Sequence, residues 1–94
     1  RSIELDSERA FPYNNRGFAH SNLGNFEMAF ADFRRSYNID PTNALLYKYR
    51  GLTYYRTGNH TEALKDLLKA IEKDSDLECE LSETLSHLKE KSIP

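Results

Sequence analysis

A period of 34 residues constrains this chain more than any other feature. Comparing residues 10–43 with 44–77, without a gap, pairs Ala10 with Ala44, Tyr13 with Tyr47, Arg16 with Arg50 and Gly17 with Gly51. It also pairs Gly24 with Gly58, Asn25 with Asn59, Ala29 with Ala63, Asp32 with Asp66 and Asp40 with Asp74, nine identities in 34 positions. Phe11/Leu45, Phe18/Leu52, Phe30/Leu64 and Phe33/Leu67 add apolar exchanges. A fixed period of this length belongs to supersecondary units that bury their apolar faces against one another.

Each unit reads as helix, tight turn, helix. Tyr13, Gly17 and His20, like Tyr47, Gly51 and Tyr54, recur at i, i+4, i+7, which is one face of a helix. Ala29, Phe30, Phe33 and Tyr37 give a second apolar stripe, and Ala63, Leu64, Leu67, Leu68 and Ile71 repeat it. Between the helices, Gly24 and Gly58 suit the left-handed conformation that ends a helix. Asn25 and Asn59 are expected to cap the next one, Asn59 with Glu62 in a box-like arrangement. Asp40-Pro41 and Asp74-Ser75 close the units. Beyond them, Ser75 and Glu78 form an expected capping box, and Leu77, Leu81, Leu85 and Leu88 draw an apolar stripe at i, i+4, i+8, i+11. That predicts an amphipathic helix over 76–91 covering the end of the stack.

The spacing and residue types resemble tetratricopeptide repeats. The family pattern runs W-x2-L-G-x2-Y, then A-x3-F, then P. The first unit supplies Tyr13, Arg16, Gly17, His20, Ala29, Phe33 and Pro41; the second supplies Tyr47, Arg50, Gly51, Tyr54, Ala63 and Leu67, with Ser75 where Pro is usual. The resemblance implies an all-α fold, a right-handed α-solenoid of stacked helix-turn-helix repeats with a C-terminal capping helix. Repeats are expected at 10–43 and 44–77, with 2–7 as the tail of a preceding repeat in a longer protein.

Within each unit, Gly17 faces Ala29 and Gly51 faces Ala63, letting the two backbones approach. Tyr13, Phe33, Tyr47, Tyr54 and Leu67 fill the surrounding space. Arginine stands before each glycine where the family usually has leucine, and aspartate recurs in each second helix. This joint recurrence predicts the ion pairs Arg16–Asp32 and Arg50–Asp66; two solvated charges per repeat are the alternative.

The resemblance further implies protein or peptide binding on a concave face lined by the first helices. Helical geometry assigns Leu45, Lys48, Leu52, Tyr55 and Arg56 of the second repeat to that face. The matching residues of the first repeat are Phe11, Asn14, Phe18, Ser21 and Asn22, and those of the last helix are Cys79, Ser82, Glu83 and Ser86. For Phe11, Phe18, Leu45 and Leu52 the competing reading is packing between adjacent first helices. One branch of the family clamps the C-terminal carboxylate of chaperone tails with Lys and Asn, then Asn, then Lys and Arg. In the first register those places hold Asn14 and Phe18, then Tyr49, then Cys79 and Glu83. Starting one repeat earlier matches Asn15, but Leu45 and Tyr49 replace the final Lys and Arg. Clamping carboxylates needs that positive charge, so chaperone-tail binding of this type is disfavoured.

Other chemistry finds little support. Thirteen basic and fifteen acidic residues leave a net charge of −2, against a nucleic-acid footprint. No apolar run is long enough for a membrane span. His20, His60 and His87 lack metal-ligand spacing with Cys79, and no nucleophile motif or phosphate-binding glycine loop occurs. No metal or cofactor and no enzymatic activity are expected. Asn59-His60-Thr61 is a formal glycosylation sequon explained by its place in the turn. One cysteine in 94 residues fits a reducing compartment, giving a cytoplasmic expectation with the nucleus left open. Two functions stand: a scaffold or adaptor module that binds a protein partner, and a targeting or self-association module within an enzyme or its regulatory subunit. Ile3, Leu5 and Phe11 are the residues through which two copies would meet.

Overall fold

The computed structural model describes residues 7–92. Five helices follow one another: α1 (Ser7–Asn22), α2 (Phe26–Ile39), α3 (Ala44–Thr57), α4 (His60–Lys73) and α5 (Leu77–Ser92). Among the described residues there is no strand. The helices α1 and α2 pack as one antiparallel pair, α3 and α4 as a second, α3 also rests on both helices of the first pair, and α5 lies on α4. The result is an all-α solenoid of stacked helix-turn-helix repeats. The proposed repeat tail at 2–7 falls, except for Ser7, outside the described residues, as do Ile3 and Leu5.

The turn inside each repeat is a helix stop built on glycine. Gly24 and Gly58 have φ of +84° and +88°, where a Cβ would be strained. In the first repeat, the Asn25 N–H reaches the His20 carbonyl (2.8 Å) and the Gly24 N–H the Ser21 carbonyl (3.1 Å); in the second, the Asn59 N–H reaches Tyr54 (2.9 Å) and the Gly58 N–H reaches Tyr55 (3.3 Å). This paired closure satisfies carbonyls that a helix end leaves open.

The capping expectation for Asn25 and Asn59 fails in one respect. Both occupy the N-cap position, yet neither side chain makes a capping hydrogen bond. Their ψ values of 69° and 70° lie outside the β-region geometry that aims an N-cap side chain at the first turn. Their backbones act instead: the carbonyls accept from Ala29 and Ala63 N–H at 3.0 and 2.9 Å. The side-chain cap appears at Asn43, whose Oδ1 accepts the Leu45 N–H (2.9 Å). Before α5, the Ser75–Glu78 link is between backbones (3.1 Å), while Asp74 Oδ1 accepts the Asp76 N–H (3.1 Å).

Close approach of the paired helices explains the mid-helix glycines. A Cβ on Gly17 would lie 2.8 Å from Phe33 Cε1 and 3.1 Å from the Ala29 carbonyl oxygen. A Cβ on Gly51 would lie 2.8 Å from both Cγ and Cδ2 of Leu67. Ala29, Ala63, Phe33 and Leu67 are fully buried. Each Phe or Leu side chain withdrawn from water in this way stabilises the fold by about 1.5–3 kcal/mol. That outweighs the cost of a helical glycine, about 1 kcal/mol against alanine.

The buried stripe on the second helices is narrower than periodicity alone predicts. It comprises Ala29, Asp32, Phe33 and Ser36 on α2, and Ala63, Asp66, Leu67 and Ala70 on α4. Tyr37 and Leu68 are exposed, and Phe30, Leu64 and Ile71 are half-buried. Polar Asp32 and Asp66 enter the stripe because each is neutralised by an arginine, as described below. On α5 the buried face is Leu77, Leu81, Leu85 and Leu88.

Candidate functional site

Arg16 and Arg50 tie the two helices of each repeat together. Arg16 Nε donates to Asp32 Oδ2 (2.9 Å) and Arg16 Nη2 to Asp32 Oδ1 (2.7 Å). Arg50 Nε donates to Asp66 Oδ2 (2.8 Å) and Arg50 Nη2 to Asp66 Oδ1 (3.0 Å). Such two-point pairing fixes orientation as well as charge. The two sites differ in their surroundings. Asp32 also receives Arg35 Nη1 at 3.1 Å, and His20 Nε2 lies 3.9 Å away. Asp66 has Arg50 as its one cationic partner among the described residues. The Arg16 side chain is 55% exposed, the Arg50 side chain 24%. The hydrogen bond from Arg16 holds the Asp32 carboxyl below the usual carboxylate range, against the upward push of burial. Burial pulls the Arg50 guanidinium down, but hydrogen bonding and the charge of Asp66 outweigh it and raise its pKa.

Tyr47 anchors the junction between repeats. It is buried, and its hydroxyl donates to the Pro41 carbonyl (2.5 Å). Arg50, Lys69 and Lys73 stand over its ring at 5.3, 5.6 and 5.6 Å. Burial pushes its phenol pKa up. Tyr13, at the equivalent place, is half-buried beneath the Arg16 guanidinium, 5.5 Å from its ring. The Tyr54 ring is half-buried, 4.7 Å from Phe30. His20, at the place that Tyr54 holds in the second repeat, is only partly buried, and its Nδ1 has no hydrogen-bond partner among the described residues.

The residues assigned to the concave face separate into accessible and enclosed groups. Phe18 stacks on Tyr49 with centroids 4.4 Å apart and planes inclined by 16°. The Arg56 guanidinium stands 5.7 Å from the Phe18 ring on its other contact. Leu52 and Tyr55 are half-buried beside them, with the Tyr55 ring 5.8 Å from His60. Arg56 and Asn22 are exposed, Phe11 is 43% exposed, and Leu45 is half-buried. Lys48 Nζ contacts Glu80 Oε2 at 2.6 Å, which joins α3 to α5 and leaves the lysine side chain 16% exposed. On α5, Cys79, Ser82, Glu83 and Ser86 are exposed.

Asn14 and Ser21 do not lie on an open surface. Both are buried. The Ser21 hydroxyl is 3.0 Å from the Thr53 hydroxyl, which in turn donates to the Tyr49 carbonyl (2.8 Å). This small polar contact joins α1 to α3. Neither the amide nitrogen nor the oxygen of Asn14 has a partner among the described residues. Tyr49 is the residue missed on this face. Its signal was present: Leu45, Tyr49, Leu52 and Arg56 recur at i, i+4, i+7, i+11 on α3, one helix stripe.

No group of three His, Cys, Asp or Glu side chains suited to a metal ion occurs among the described residues. No helix there is long and apolar enough to cross a membrane. Comparison with curated proteins and with solved structures found no significant match. The sequence pattern of the tetratricopeptide repeat matches residues 10–43 and 44–77. Those two segments make up most of the 94 residues, and the chain belongs to the tetratricopeptide-repeat family.

Proposed function

We propose that this protein is a scaffold or adaptor module that binds a protein or peptide partner on the face formed by α1, α3 and α5. Tetratricopeptide repeats are generally non-catalytic protein-interaction modules. The observation that carries the reading here is the Phe18–Tyr49 stack with Arg56 over the Phe18 ring. These side chains come from both repeats, so a partner meeting them spans the repeat junction. Aromatic rings and arginine are the groups that most often dominate binding energy at interfaces.

The distribution of charge argues for a partner other than a chaperone tail. Of the clamp places, Asn14 is buried and Leu45 and Tyr49 carry no charge, while the neighbouring Lys48 is engaged by Glu80. Arg56 is left as an exposed cation on this face. The net charge of −2 supports a protein partner over a polyanion. Cys79, exposed and unpaired, supports placing the protein in a reducing compartment, which we take to be the cytoplasm.

The test is affinity capture with the wild-type chain and with a Tyr55→Ala, Arg56→Glu double variant. The expected outcome is that at least one captured protein is lost with the variant at a temperature where both chains are fully folded by circular dichroism. Identical partner lists would discredit the assignment of this face. The second reading, a targeting or self-association module within an enzyme or its regulatory subunit, draws on the exposed Phe11. Light scattering separates it: a monomeric mass across concentration counts against self-association.

A further inference from the structure

A second concavity, of about 670 Å³, lies on the α2 side of the molecule and is lined from α2 and α3. Its size suits a few side chains of a ligand. Phe30 and Tyr54 contribute a pair of rings 4.7 Å apart. The Tyr37 ring, 44% exposed, lies 5.9 Å from the Arg50 guanidinium carbon. Arg34 also lines the cleft, is exposed, and has no ionic or hydrogen-bond partner among the described residues. Arg35 beside it is held by Asp32 at 3.1 Å. The phenol hydroxyls of Tyr37 and Tyr54 also lack partners among the described residues. Glu27 is the one carboxylate in the lining, against the guanidinium groups of Arg34, Arg35 and Arg50.

The repeat frame does not require this arrangement. Moving 34 residues along replaces Arg34 by Leu68, Tyr37 by Ile71 and Asn38 by Glu72, and the second repeat folds the same way. The cleft therefore gathers a cation and two phenol hydroxyls without partners among the described residues, an exposed Tyr37 ring, and the open edges of Phe30 and Tyr54, whose other sides pack on the core. Of the three guanidinium groups in the lining, Arg35 is held by Asp32 and Arg50 by Asp66, so Arg34 is the one left open to an incoming carboxylate.

We propose that this cleft binds an acidic peptide segment carrying an apolar side chain. A carboxylate of the peptide pairs with the Arg34 guanidinium, and the Tyr37 and Tyr54 hydroxyls donate to neighbouring acceptors. The apolar side chain packs against Phe30 and Tyr54. The charge term selects acidic segments over basic ones, and the rings select an apolar residue among the acids. This site is separate from the α1–α3–α5 face, so either can fail without the other.

The experiment titrates the isotope-labelled chain with a pentapeptide of glutamates surrounding one phenylalanine, followed by amide chemical shifts. The expected result is shifts at Ala31, Asn38 and Tyr54, with Phe18 and Tyr55 unmoved, and no binding by the lysine counterpart of the peptide. Arg34→Glu should weaken the affinity by about tenfold or more with an unchanged melting temperature, since Arg34 holds nothing in the fold. Should that variant alter the melt, Arg34→Gln supplies the same comparison. Shifts confined to Phe18 and Tyr55, no binding of the acidic peptide, or an unchanged affinity in the Arg34 variants would each overturn the proposal. So would tighter binding of a single-stranded oligonucleotide than of the peptide.

Discussion

Equivalent positions on α1 and α3 meet opposite surroundings. Leu46 and Thr53 of α3 are fully buried, and Tyr49 is half-buried against Phe18. Their counterparts on α1, 34 residues earlier, are Pro12, Ala19 and Asn15, all exposed. The side of α3 that meets the first repeat is therefore enclosed, while the same side of α1 is open and carries only small or polar side chains. The ion pairs differ in parallel. Asp32 is held by Arg16 and Arg35, whereas Asp66 depends on Arg50. The position of Arg35 is taken in the second repeat by Lys69, whose ammonium lies over the Tyr47 ring instead. A repeat thus carries two layers of information. One builds the pair of helices and is common to both copies; the other answers to whatever each copy touches.

The largest effect expected is at the shared glycines. Gly51→Leu places a branched side chain where a Cβ alone would already lie 2.8 Å from Leu67 Cγ, and overpacking at such a site costs about 1–3 kcal/mol or more. Gly17→Leu meets the Phe33 ring edge at the same separation and should cost a similar amount. Urea denaturation of both variants checks this; an unchanged midpoint in either would break the claim that the frame is common.

Next comes the ion pair with no substitute. Arg50→Ala leaves the Asp66 carboxylate largely buried and unpaired, a loss of about 2–3 kcal/mol. Arg16→Ala should cost less, because Arg35 stays on Asp32. Thermal melts rank the two, and equal losses would remove the distinction between the repeats. Reversing both charges at Arg50 and Asp66 should restore part of what either single reversal loses. Failure to recover would mean that the pair does not act as a unit.

A gain is expected at Asn14. Its carboxamide is fully buried and has no partner among the described residues, so Asn14→Leu should stabilise the chain by about 1 kcal/mol. At the equivalent place in the second repeat, Lys48 reaches Glu80, and Lys48→Leu should bring no such gain. Denaturant midpoints of the two variants settle the contrast; a loss at Asn14 would show that its amide has a role in the fold.

The smallest effect is at low pH. The pKa of Asp32 is depressed in the folded chain. Its stabilising contribution is fully present above the ordinary aspartate range, near pH 4, and is lost as pH falls through the depressed folded value. Asp32→Asn should therefore be less stable at neutral pH and show a shallower loss of stability on acidification below about pH 4. Parallel acid titration curves for wild type and variant would contradict the assignment.

Much of the frame was legible because the same demand is made twice. Gly17 and Gly51 recur with Ala29 and Ala63 because two backbones approach in both repeats, and no partner outside the repeat is needed to see it. Arginine and aspartate recur together for a similar reason, since each pair closes within its own unit. What depends on the neighbouring unit was harder to read. Asn14 and Ser21 look like solvent residues by type, yet the seating of α3 on the first repeat buries them. Tyr37 and Leu68 look like core residues by spacing, yet the second helices bury a narrower stripe. The asparagine caps failed for a local reason. Identity alone does not state ψ, and at Asn25 and Asn59 the backbone turns the side chain away from the first amides. Tyr49 stands between two charged residues, Lys48 and Arg50, and its place on the Leu45–Leu52–Arg56 stripe stands out only from the contact that Phe18 of the other repeat makes with it.

The central claim is that shared positions build the repeat while the α1–α3–α5 face selects the partner. Site-directed photo-crosslinking tests it most directly. Benzoylphenylalanine is placed in turn at Tyr55, on that face, and at Leu68, exposed on α4, and each chain is irradiated in the presence of captured partner. The account predicts a crosslinked adduct from position 55 and none from position 68. An adduct from position 68 with none from position 55 would contradict it.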